Sequence, residues 1–383
     1  MGQRVYDSIV VGVGGMGAAA IYALARRGRR VLGLEQFAIP HELGSSAGST
    51  RIFRFAYFEH PSYVPLMHLS LARWQALQHD FGERLLTSTG GLDIGPASGR
   101  VVSGAREACQ RHRLRHEVLE AREVSRRFPA WRLPQEFAAV HQPDAGFLRA
   151  ERAILAHVSL ARKLGADVRD KEAVRGFRAT GERVEVTTQA GTYEAGSLVL
   201  TAGAWTAKLV QGFGELAIPE RQVVTWFDAN GPQFAVHAFP VFILECPQRG
   251  IFYGFPRLAD EGVKIGKFHH RRQRVDPDAI DRRIAAEDVI VVGEVEAYLS
   301  APLGPPRSCK TCMFVNSPDE HFIVDVLPGH RNVVVAAGFS GHGYKFCSGL
   351  GEILADLATR GATEHDTDLF RLRRPALALA RTS

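Results

Sequence analysis

The feature that most constrains the fold is a glycine-rich stretch near the N-terminus, between a short apolar run and an alanine-rich one. Residues 8–11 form a β-branched run, typical of a strand buried on both faces. Gly12, Gly14 and Gly17 follow with the spacing G-x-G-x-x-G. The first glycine permits a tight turn, the second lets backbone approach a pyrophosphate, and the third lets a helix pack on the strand. This stretch predicts a dinucleotide-binding unit.

The residues after the glycines complete that unit. Residues 16–27 predict a helix whose N-terminal N–H groups face the phosphates, and residues 31–34 a second strand that ends at Glu35. An acidic side chain there accepts the ribose hydroxyls and repels a 2′-phosphate, which favours FAD or NAD over NADP. The alternatives are a glycine-rich buried hairpin and a membrane span, but the clustered glycines and the immediate second strand argue against a span.

Length and composition limit the class of protein. The chain has 383 residues, 45% of them hydrophobic, which is enough for two domains. The net charge of +6 comes mostly from scattered arginines, so it fits solvated surface as well as attraction of anionic substrates or RNA. The five cysteines are an odd number and indicate a reducing compartment rather than a disulfide framework. We therefore expect a cytoplasmic protein without a secretory signal or a transmembrane segment.

Two later strands also run into turns of small residues before a helix. Residues 197–200 lead into Thr201-Ala-Gly-Ala-Trp205, and residues 332–337 lead into Gly338-Phe-Ser-Gly-His-Gly-Tyr-Lys345. Such turns bring backbone N–H groups to a cofactor. Because the three turns lie at the start, middle and end of the chain, the nucleotide domain is predicted to consist of discontinuous segments.

The remaining segments give a coarse secondary structure, and two residue pairs among them can be interpreted in more than one way. Helices are predicted over residues 61–81, 100–111, 121–128 and 149–164, and a small β meander over residues 166–168, 174–177 and 183–188. Arg51 and Arg54 follow the small residues 44–50 and are three positions apart. On a helix or turn, this spacing would direct both side chains to one region. The alternative is that the segment is a helix cap followed by two surface arginines. Cys309 and Cys312 form a C-x-x-C pair, but neither a zinc site nor a redox pair is predicted, because further zinc ligands and a βαβ context are missing.

Seven stretches spread over nearly the whole chain carry a family resemblance. They are GVGGMG with Glu35, GSSAGSTRIFR, PDAGFL, LVLTAGAW, YGFP with GVKIG, CMFVNSPDEHFIVD and AAGFSGHGYKF. Together they resemble the amine-oxidising flavoenzymes of the D-amino-acid oxidase superfamily, and within it the monomeric sarcosine oxidase and N-methyltryptophan oxidase family.

The resemblance implies an α/β (α+β) fold with a Rossmann-like FAD-binding domain and a discontinuous, largely antiparallel β substrate domain. Residues 1–85, 145–215 and 320–383 are assigned to the first, and residues 86–144 and 216–319 to the second. The implied activity is FAD-dependent oxidation of a secondary amino acid, N-methyl or cyclic, to an imine, with O2 reduced to H2O2. The implied partners are a small-molecule amino acid and O2, with no nucleic acid and no membrane, and a monomer is expected.

Two other functions stay open. An FAD-dependent amino-acid dehydrogenase would pass its electrons to an acceptor other than O2. A flavin-dependent tRNA-modifying protein would need a contiguous basic face with stacking aromatics, and the sequence shows no such cluster beyond residues 267–274.

The resemblance also implies roles for particular residues. Cys312, and not Cys309, takes the position of the cysteine that carries FAD through a thioether to the flavin 8α carbon. Arg54 and Lys345 match the two cations that hold a substrate carboxylate, a group that suits a bidentate guanidinium and an ammonium. We expect these cations to converge without a counter-anion when no substrate is bound, at a free-energy cost that a carboxylate ligand relieves.

Further site residues follow by position. Lys264 matches a lysine that assists the reaction of reduced flavin with oxygen, Arg51 an arginine beside the flavin ring, and Tyr253 a tyrosine of the substrate pocket; His269 completes the expected catalytic set. The chain departs from the family pattern on the substrate side at Ala47, Phe268 and Phe314. The residues expected to bind the cofactor are Gly12, Gly14, Gly15, Met16, Gly17, Glu35, Gln36, Ser45, Ser46, Thr50, Arg51, Val174, Ala202, Gly203, Trp205, Cys312, Met313, Gly341, His342, Gly343, Tyr344 and Lys345.

Overall fold

The structure is a computed structural model that describes residues 5–258 and 261–379. Its helices are α1 (Gly15–Arg26), α2 (Tyr63–Phe81), α3 (Arg100–His112), α4 (Ala121–Arg127), α5 (Ala150–Lys163), α6 (Thr206–Leu209), α7 (Ala286–Gly293), α8 (Cys347–Arg360) and α9 (Pro375–Leu379). Its strands are β1 (Val5–Val11), β2 (Val31–Leu34), β3 (Thr50–Phe53), β4 (Leu86–Ser88), β5 (Gly91–Pro96), β6 (Glu117–Glu120), β7 (Phe137–Gln142), β8 (Gly146–Arg149), β9 (Asp167–Arg169), β10 (Val174–Ala179), β11 (Val184–Thr188), β12 (Thr192–Leu200), β13 (Ile218–Phe227), β14 (Val241–Cys246), β15 (Gly250–Gly254), β16 (Val263–Lys267), β17 (Pro306–Asn316), β18 (Ile323–Val326) and β19 (Val333–Ala337).

The first sheet has a parallel centre. β1 pairs in parallel with β2 on one side and with β12 on the other, and β9 and β19 continue the parallel order outwards from β2 and β12. β10, β11 and β18 add antiparallel edges. The apolar run of β1 is buried, as expected for a strand covered on both faces. The carboxyl ends of β1, β2, β12 and β19 therefore lie along one edge of this sheet.

The second sheet is almost wholly antiparallel. Its order is β17-β13-β16-β15-β14-β5-β7-β6, and β14 with β5 is its parallel pair. A three-stranded sheet of β3, β8 and β4 is separate from both. The two large sheets agree with a parallel nucleotide-binding part and an antiparallel substrate part, and they confirm the predicted fold class. The exact domain boundaries stay a prediction.

Helices α1, α2, α5 and α8 pack on the first sheet with a common apolar core. The approach of α8 to α1 is close, since a Cβ on Gly351 would lie 2.7 Å from the Ala19 carbonyl carbon. Trp74 of α2 is fully buried, and its Nε1 donates to the backbone oxygen of Lys345 at 2.8 Å. This layer thus holds the turn that precedes α8.

Two local predictions are wrong. Residues 166–168 are not part of a meander, because β9 pairs in parallel with β2 in the first sheet, and only β10 to β12 form consecutive antiparallel pairs. Arg51 does not lie on a helix or turn but within β3, which pairs antiparallel with β8. Arg51 is the second residue of β3, and Arg54 is the first residue after this strand, where its side chain is buried.

The predicted close packing of the glycine turn yields a stability test. Gly12 has φ +87°, and a Cβ on Gly17 would overlap the Gly12 carbonyl oxygen. We expect Gly17→Ala to lower the free energy of unfolding by about 1–3 kcal/mol, the usual cost of overpacking, and to lower cofactor occupancy. Urea unfolding measures the first effect, and Gly214→Ala is the matched control, because nothing lies within 4 Å of a Cβ there. Equal stability of the two variants would contradict the close approach.

Candidate active site

A cavity of about 690 Å³ is lined by residues of all three sheets. Its nucleotide end is formed by the β1–α1 turn, the residues after β2, and the turns after β12 and β19. Its other end is formed by β3, β15, β16 and β17. The cavity therefore joins the carboxyl edge of the parallel strands to the antiparallel sheet.

The glycine turn after β1 lies directly against the turn after β12. A Cβ on Gly12 would lie 2.5 Å from the Thr201 backbone oxygen, so a larger residue does not fit there. Glu35 is buried at the end of β2, and its carboxylate accepts hydrogen bonds from Val13 N at 2.8 Å and Phe37 N at 3.0 Å. The backbone thus orients Glu35, which lines the cavity as a ribose-binding acid should.

The segment before β3 closes this end of the cavity. Ser46 Oγ accepts a hydrogen bond from Gly15 N at 3.1 Å. The Arg51 guanidinium donates to Thr50 O at 2.8 Å, to Ser45 O at 3.0 Å and to Ala47 O, and it lies 5.6 Å from the Tyr344 ring centroid. These bonds fix a cation between the glycine turn and the turn after β19.

Lys264 is a buried cation, and no carboxylate of the described residues is in hydrogen-bond contact with it. Its Nζ donates to Thr50 O at 3.1 Å and lies over the rings of Trp226 and Phe255 at 5.2 and 4.9 Å. Burial, aided by Arg51, lowers the pKa of Lys264 to about 7. The amine therefore changes charge readily near neutral pH.

Both cysteines of the C-x-x-C pair are free and line the cavity. Burial raises the pKa of Cys312, while the neighbouring charges of Arg51 and Lys264 work to lower it. Cys309 Sγ lies 3.6 Å from Thr225 Oγ1. Cationic neighbours favour the thiolate, the nucleophilic form of cysteine.

Arg54 and Glu59 form a buried ion pair at the other end of the cavity. Arg54 Nη2 donates to both carboxylate oxygens of Glu59 at 2.6 and 2.8 Å, and Nη1 donates to Ala56 O at 2.7 Å. The two side chains are 4% and 7% exposed. Burial works to raise the pKa of Glu59, but Arg54, His342 and Lys345 together outweigh burial and hold the pKa below its usual value.

Lys345 and Arg54 both lie beside the ring of Tyr57. The Arg54 guanidinium lies 4.4 Å from the Tyr57 ring centroid and Lys345 Nζ lies 5.1 Å from it. Lys345 Nζ donates to His342 O at 2.7 Å and to Tyr57 Oη at 3.4 Å, and the Tyr57 hydroxyl is 2.6 Å from His342 Nδ1. Burial, together with the charge of Arg54, lowers the pKa of Lys345 to about 7.

The expectation that these cations lack a counter-anion is wrong, because Glu59 neutralises Arg54. Sequence reasoning missed Glu59 for a physical reason: it follows Arg54 by five residues in a segment that is neither helix nor strand, so no periodicity pairs them. Tyr57, between them, was missed for the same reason. Asp93 was missed too, although an acid inside the apolar strand GLDIG is a detectable signal.

The structure brings most of the predicted site residues to the cavity. Arg51, Arg54, Tyr253, Lys264, Cys312 and Lys345 all line it, as do the cofactor-binding residues except two. Gly17 instead faces Gly12, and Met313 is buried in the core below the first sheet. His269 is also not among the lining residues, because its ring is held between Glu220 and Glu320 at 3.0–3.2 Å. These two glutamates raise the pKa of His269 to about 9.

Aromatic rings replace His269 on the wall of the cavity. Phe268 lies 5.2 Å from Tyr253 and 5.8 Å from Phe314, ring centroid to ring centroid. All three line the cavity, next to Ile52 and Ile243. This wall is apolar apart from the Tyr253 hydroxyl, so it suits an apolar group beside the two cations.

The residues present fit an adenine dinucleotide and not a metal. The glycine turn has no room for side chains, and the acidic Glu35 is oriented by the backbone beside it. Within residues 5–258 and 261–379, no group of histidine, cysteine, aspartate and glutamate side chains is arranged to hold a metal ion. In the same part of the chain, no helix is long and apolar enough to cross a membrane.

The fold and this cavity define a flavin-type, dinucleotide-dependent oxidoreductase. The family model named FAD dependent oxidoreductase (DAO) matches residues 7–357, and the chain belongs to that family. FAD is accordingly its cofactor. The predicted class of enzyme, a flavin-dependent oxidoreductase, is confirmed.

Individual relatives are similar over almost the whole chain. Monomeric sarcosine oxidase of Bacillus sp. (strain NS-129) is 40% identical, with 97% of each chain covered. N-methyl-L-tryptophan oxidase of Salmonella heidelberg (strain SL476) is 36% identical, with 96% of this chain and 99% of that one covered. Among solved structures, the open form of NikD, described as an unusual amino acid oxidase essential for nikkomycin biosynthesis, has a TM-score of 0.82 at 26% identity, covering 96% and 97% of the two chains.

The contribution of the buried Arg54–Glu59 ion pair to stability can be tested by removing the charge of Glu59. Glu59→Gln leaves the Arg54 guanidinium buried without an anion, so we expect the free energy of unfolding at pH 7 to fall by about 3–5 kcal/mol. The pKa of Glu59 is lowered in the folded protein, so its stabilising effect is present at neutral pH and is lost as the pH falls. The difference between variant and wild type should therefore shrink in acid.

Urea unfolding at several pH values measures this effect. Glu42→Gln is the matched control, because Glu42 pairs with Lys310 at the surface and should change stability by less than about 0.5 kcal/mol. A Glu59→Gln variant as stable as this control at pH 7 would show that Arg54 does not depend on Glu59.

Proposed function

We propose that this protein is an FAD-dependent oxidase of a secondary amino acid, N-methyl or cyclic, which it converts to the imine while O2 is reduced to H2O2. The observation that carries the proposal is the meeting of Arg54 and Lys345 at Tyr57, in the same cavity as the dinucleotide end. Two buried cations at the end of an otherwise apolar wall suit a carboxylate attached to an apolar body. The activities named for the similar proteins, on sarcosine and N-methyl-L-tryptophan, support the same substrate class.

The protein's contribution is orientation and charge. The redox chemistry, transfer of a hydride equivalent from the substrate and then of electrons to an acceptor, would be supplied by FAD when bound. The Lys345 ammonium has three N–H groups, of which two donate to His342 O and to the Tyr57 hydroxyl, so one is left for a ligand. Arg54 likewise has the N–H of Nε and the second N–H of Nη1 left. Both side chains can therefore hold an added carboxylate. A carboxylate fixed there places the amine-bearing carbon a defined distance along the cavity, which is the positioning part of catalysis.

The wall of Tyr253, Phe268 and Phe314 excludes water from the carbon next to nitrogen. An apolar surrounding favours the neutral amine over the ammonium form, because burial disfavours charge. A neutral secondary amine is the form that has a free lone pair. Tyr253, whose pKa is raised above its usual value by burial, stays protonated and offers a hydroxyl.

Lys264 is assigned to the oxygen side. It lies on β16 away from the Arg54–Lys345 cluster, and its hydrogen bonds go to Thr50 beside Arg51. A cation whose pKa lies near 7 supplies positive charge where reduction of O2 develops negative charge. Arg51, held by three backbone oxygens, adds a fixed positive charge to the same region.

Finer features belong to the same proposal. The enzyme uses O2 as its acceptor, acts as a cytoplasmic monomer, and carries FAD through a thioether at Cys312. Support for the thioether is the position of Cys312 in the CMFVNSPDEHFIVD stretch and its place beside Arg51 and Lys264. A dehydrogenase with another acceptor is the second candidate, and no observation of the cavity favours it over the oxidase. The tRNA-modifying alternative has only the net charge in its favour.

The covalent link gives a direct test. Wild-type protein precipitated with acid should keep its yellow colour in the pellet, because a thioether survives acid. Cys312→Ala should release the flavin into the supernatant, whereas Cys309→Ala, the matched control three residues away, should retain it. Wild-type protein that loses all of its flavin to the supernatant would contradict the covalent link but not FAD dependence.

The carboxylate clamp is tested by substitutions that keep the buried volume. Lys345→Met and Arg54→Lys should each raise KM for an N-methyl amino acid strongly, since loss of a desolvated charge pair costs roughly 2–5 kcal/mol of binding. Their effects should combine less than additively, because both groups hold one carboxylate. Lys163→Met, at an exposed lysine of α5, is the control and should match wild type.

Oxygen consumption measures these changes across paired substrates. Wild type should oxidise N-methyl and cyclic amino acids well and the corresponding amines without a carboxylate poorly. If such an amine is oxidised as fast as its amino acid, the two cations do not hold a carboxylate and the substrate is a plain amine.

A further inference from the structure

Asp93 is a buried acid that the proposed mechanism does not use. It lies on β5, is 1% exposed, and its Oδ2 accepts a hydrogen bond from Gln142 Nε2 at 2.8 Å. Its Oδ1 is buried and has no hydrogen-bond partner among the described residues. An acid with one orphaned oxygen is costly to keep ionised in such a place, because burial disfavours the charged form.

Gln142 ties Asp93 to the segment that carries the clamp. Gln142 Oε1 accepts from Phe55 N at 2.9 Å and from Ala56 N at 2.5 Å. Because backbone N–H groups only donate, the amide oxygen must face them and the NH2 must face Asp93. The orientation of Gln142 is therefore determined, and Asp93 is linked through this one side chain to the backbone between Arg54 and Glu59.

Asp93 lies directly behind the wall of the main cavity. Ile52, Arg54 and Ile243 lie beside Asp93, and these three residues also line the main cavity. The charged and titratable groups that face Asp93 are Arg54 and Glu59 from the segment after β3, Lys345 from the turn before α8, and Cys109 from α3. Asp93 thus belongs to the same buried charge cluster as the clamp.

The charges of this cluster balance without a ligand. When all four groups are ionised, Arg54 and Lys345 carry two positive charges and Glu59 and Asp93 carry two negative ones. Lys345, whose pKa is lowered to about 7 by burial and by Arg54, is a second group of the cluster that changes charge near neutral pH. A bound carboxylate adds one negative charge in a position shielded from water, where an uncompensated charge is expensive. Burial raises the pKa of Asp93 to about 7, so this acid takes up a proton at small cost.

We propose that Asp93 is the proton acceptor of the carboxylate clamp: it is ionised when the clamp holds no ligand, and it takes one proton from solvent when a carboxylate binds to Arg54 and Lys345. No covalent bond changes, and the buried cluster keeps the same net charge before and after binding. The proposal rests on the proposed function, because it requires that the two cations hold a carboxylate. Asp93 is a positioning residue in this scheme, since it acts on the ligand through Arg54.

The test measures how many protons the protein takes up when a carboxylate ligand binds. Benzoate suits it, because its carboxylate is ionised throughout pH 6–9, it has no second titrating group, and its ring fits an apolar wall. Binding to the holoenzyme is measured by flavin absorbance and by calorimetry in buffers of different ionisation enthalpy, which yields the number of protons taken up. Wild type should take up one proton or more at pH 8, because Lys345 also titrates near 7, and little at pH 6, where both groups are already protonated.

Lys345→Arg keeps a cation that does not titrate, so proton uptake in this variant reports on Asp93 and should be close to one at pH 8. Adding Asp93→Asn to Lys345→Arg should abolish that uptake. Benzoate affinity of Lys345→Arg should fall by roughly tenfold per pH unit above the pKa of Asp93, so the double variant should bind up to about tenfold more tightly at pH 8 and equally at pH 6. A merely structural role of Asp93 would leave the proton count unchanged.

Four results would overturn the proposal. Benzoate binding to wild type without proton uptake at pH 8 contradicts the role of Asp93 alone. Uptake that persists when Asp93→Asn is added to Lys345→Arg assigns the proton to another group. Uptake that is absent from Lys345→Arg alone assigns the proton to Lys345, and this variant decides the matter even if the double variant does not fold. Absence of benzoate binding at every pH contradicts the clamp itself, and with it the proposed substrate class.

Discussion

The rest of the structure depends on the parallel pairing of β1 with β2 and β12. This pairing brings the carboxyl ends of three distant segments to one edge of the sheet, and the turn after β19 joins them through the pairing of β19 with β12. The close approach of Gly12 to Thr201 is possible only because neither turn carries a bulky side chain at the contact. A chain that failed to form these pairs would have neither the dinucleotide end nor Lys345 in place.

The second constraint is the cost of burying charge beside an apolar wall. Arg54 is stabilised by Glu59, Glu59 by Arg54, and Lys345 by donation to a backbone oxygen and a tyrosine. Each of these groups is tied to the backbone around it, so the cluster is organised before any ligand arrives. Preorganised charge of this kind is what makes a buried site effective for binding an anion. Lys264, by contrast, has no hydrogen-bonded carboxylate within the part of the chain that the structure describes, and its charge stays sensitive to its surroundings.

Much of the nucleotide end was predictable from sequence, because the physics there is local. The glycine spacing, the apolar run of β1 and Glu35 at the end of β2 follow one another within thirty residues, and each has its own conformational requirement. The convergence of Arg54 and Lys345 was predictable only from the family resemblance, since the two residues lie near opposite ends of the chain.

What the sequence did not reveal depends on long-range packing. The pairing of β9 with β2, the counter-ion Glu59 and the placement of Phe268 rather than His269 on the cavity wall are set by contacts between segments far apart or without periodicity. His269 is a clear case: one position along the chain separates a residue at the cavity from one held between Glu220 and Glu320. No pattern of residue types distinguishes the two.

In the proposed function, the two halves of the cavity contact different parts of the substrate. The cations come from the segment around β3 and from the turn before α8, where Trp74 of the nucleotide-side core holds the backbone oxygen of Lys345. The aromatic wall comes from β15, the residue after β16, and β17 of the other sheet. The cations would thus hold the carboxylate, which all amino acids share, and the aromatic wall would contact the part that differs between amino acids. Such a division allows a lineage to acquire new substrates by altering one sheet while the cofactor scaffold stays unchanged.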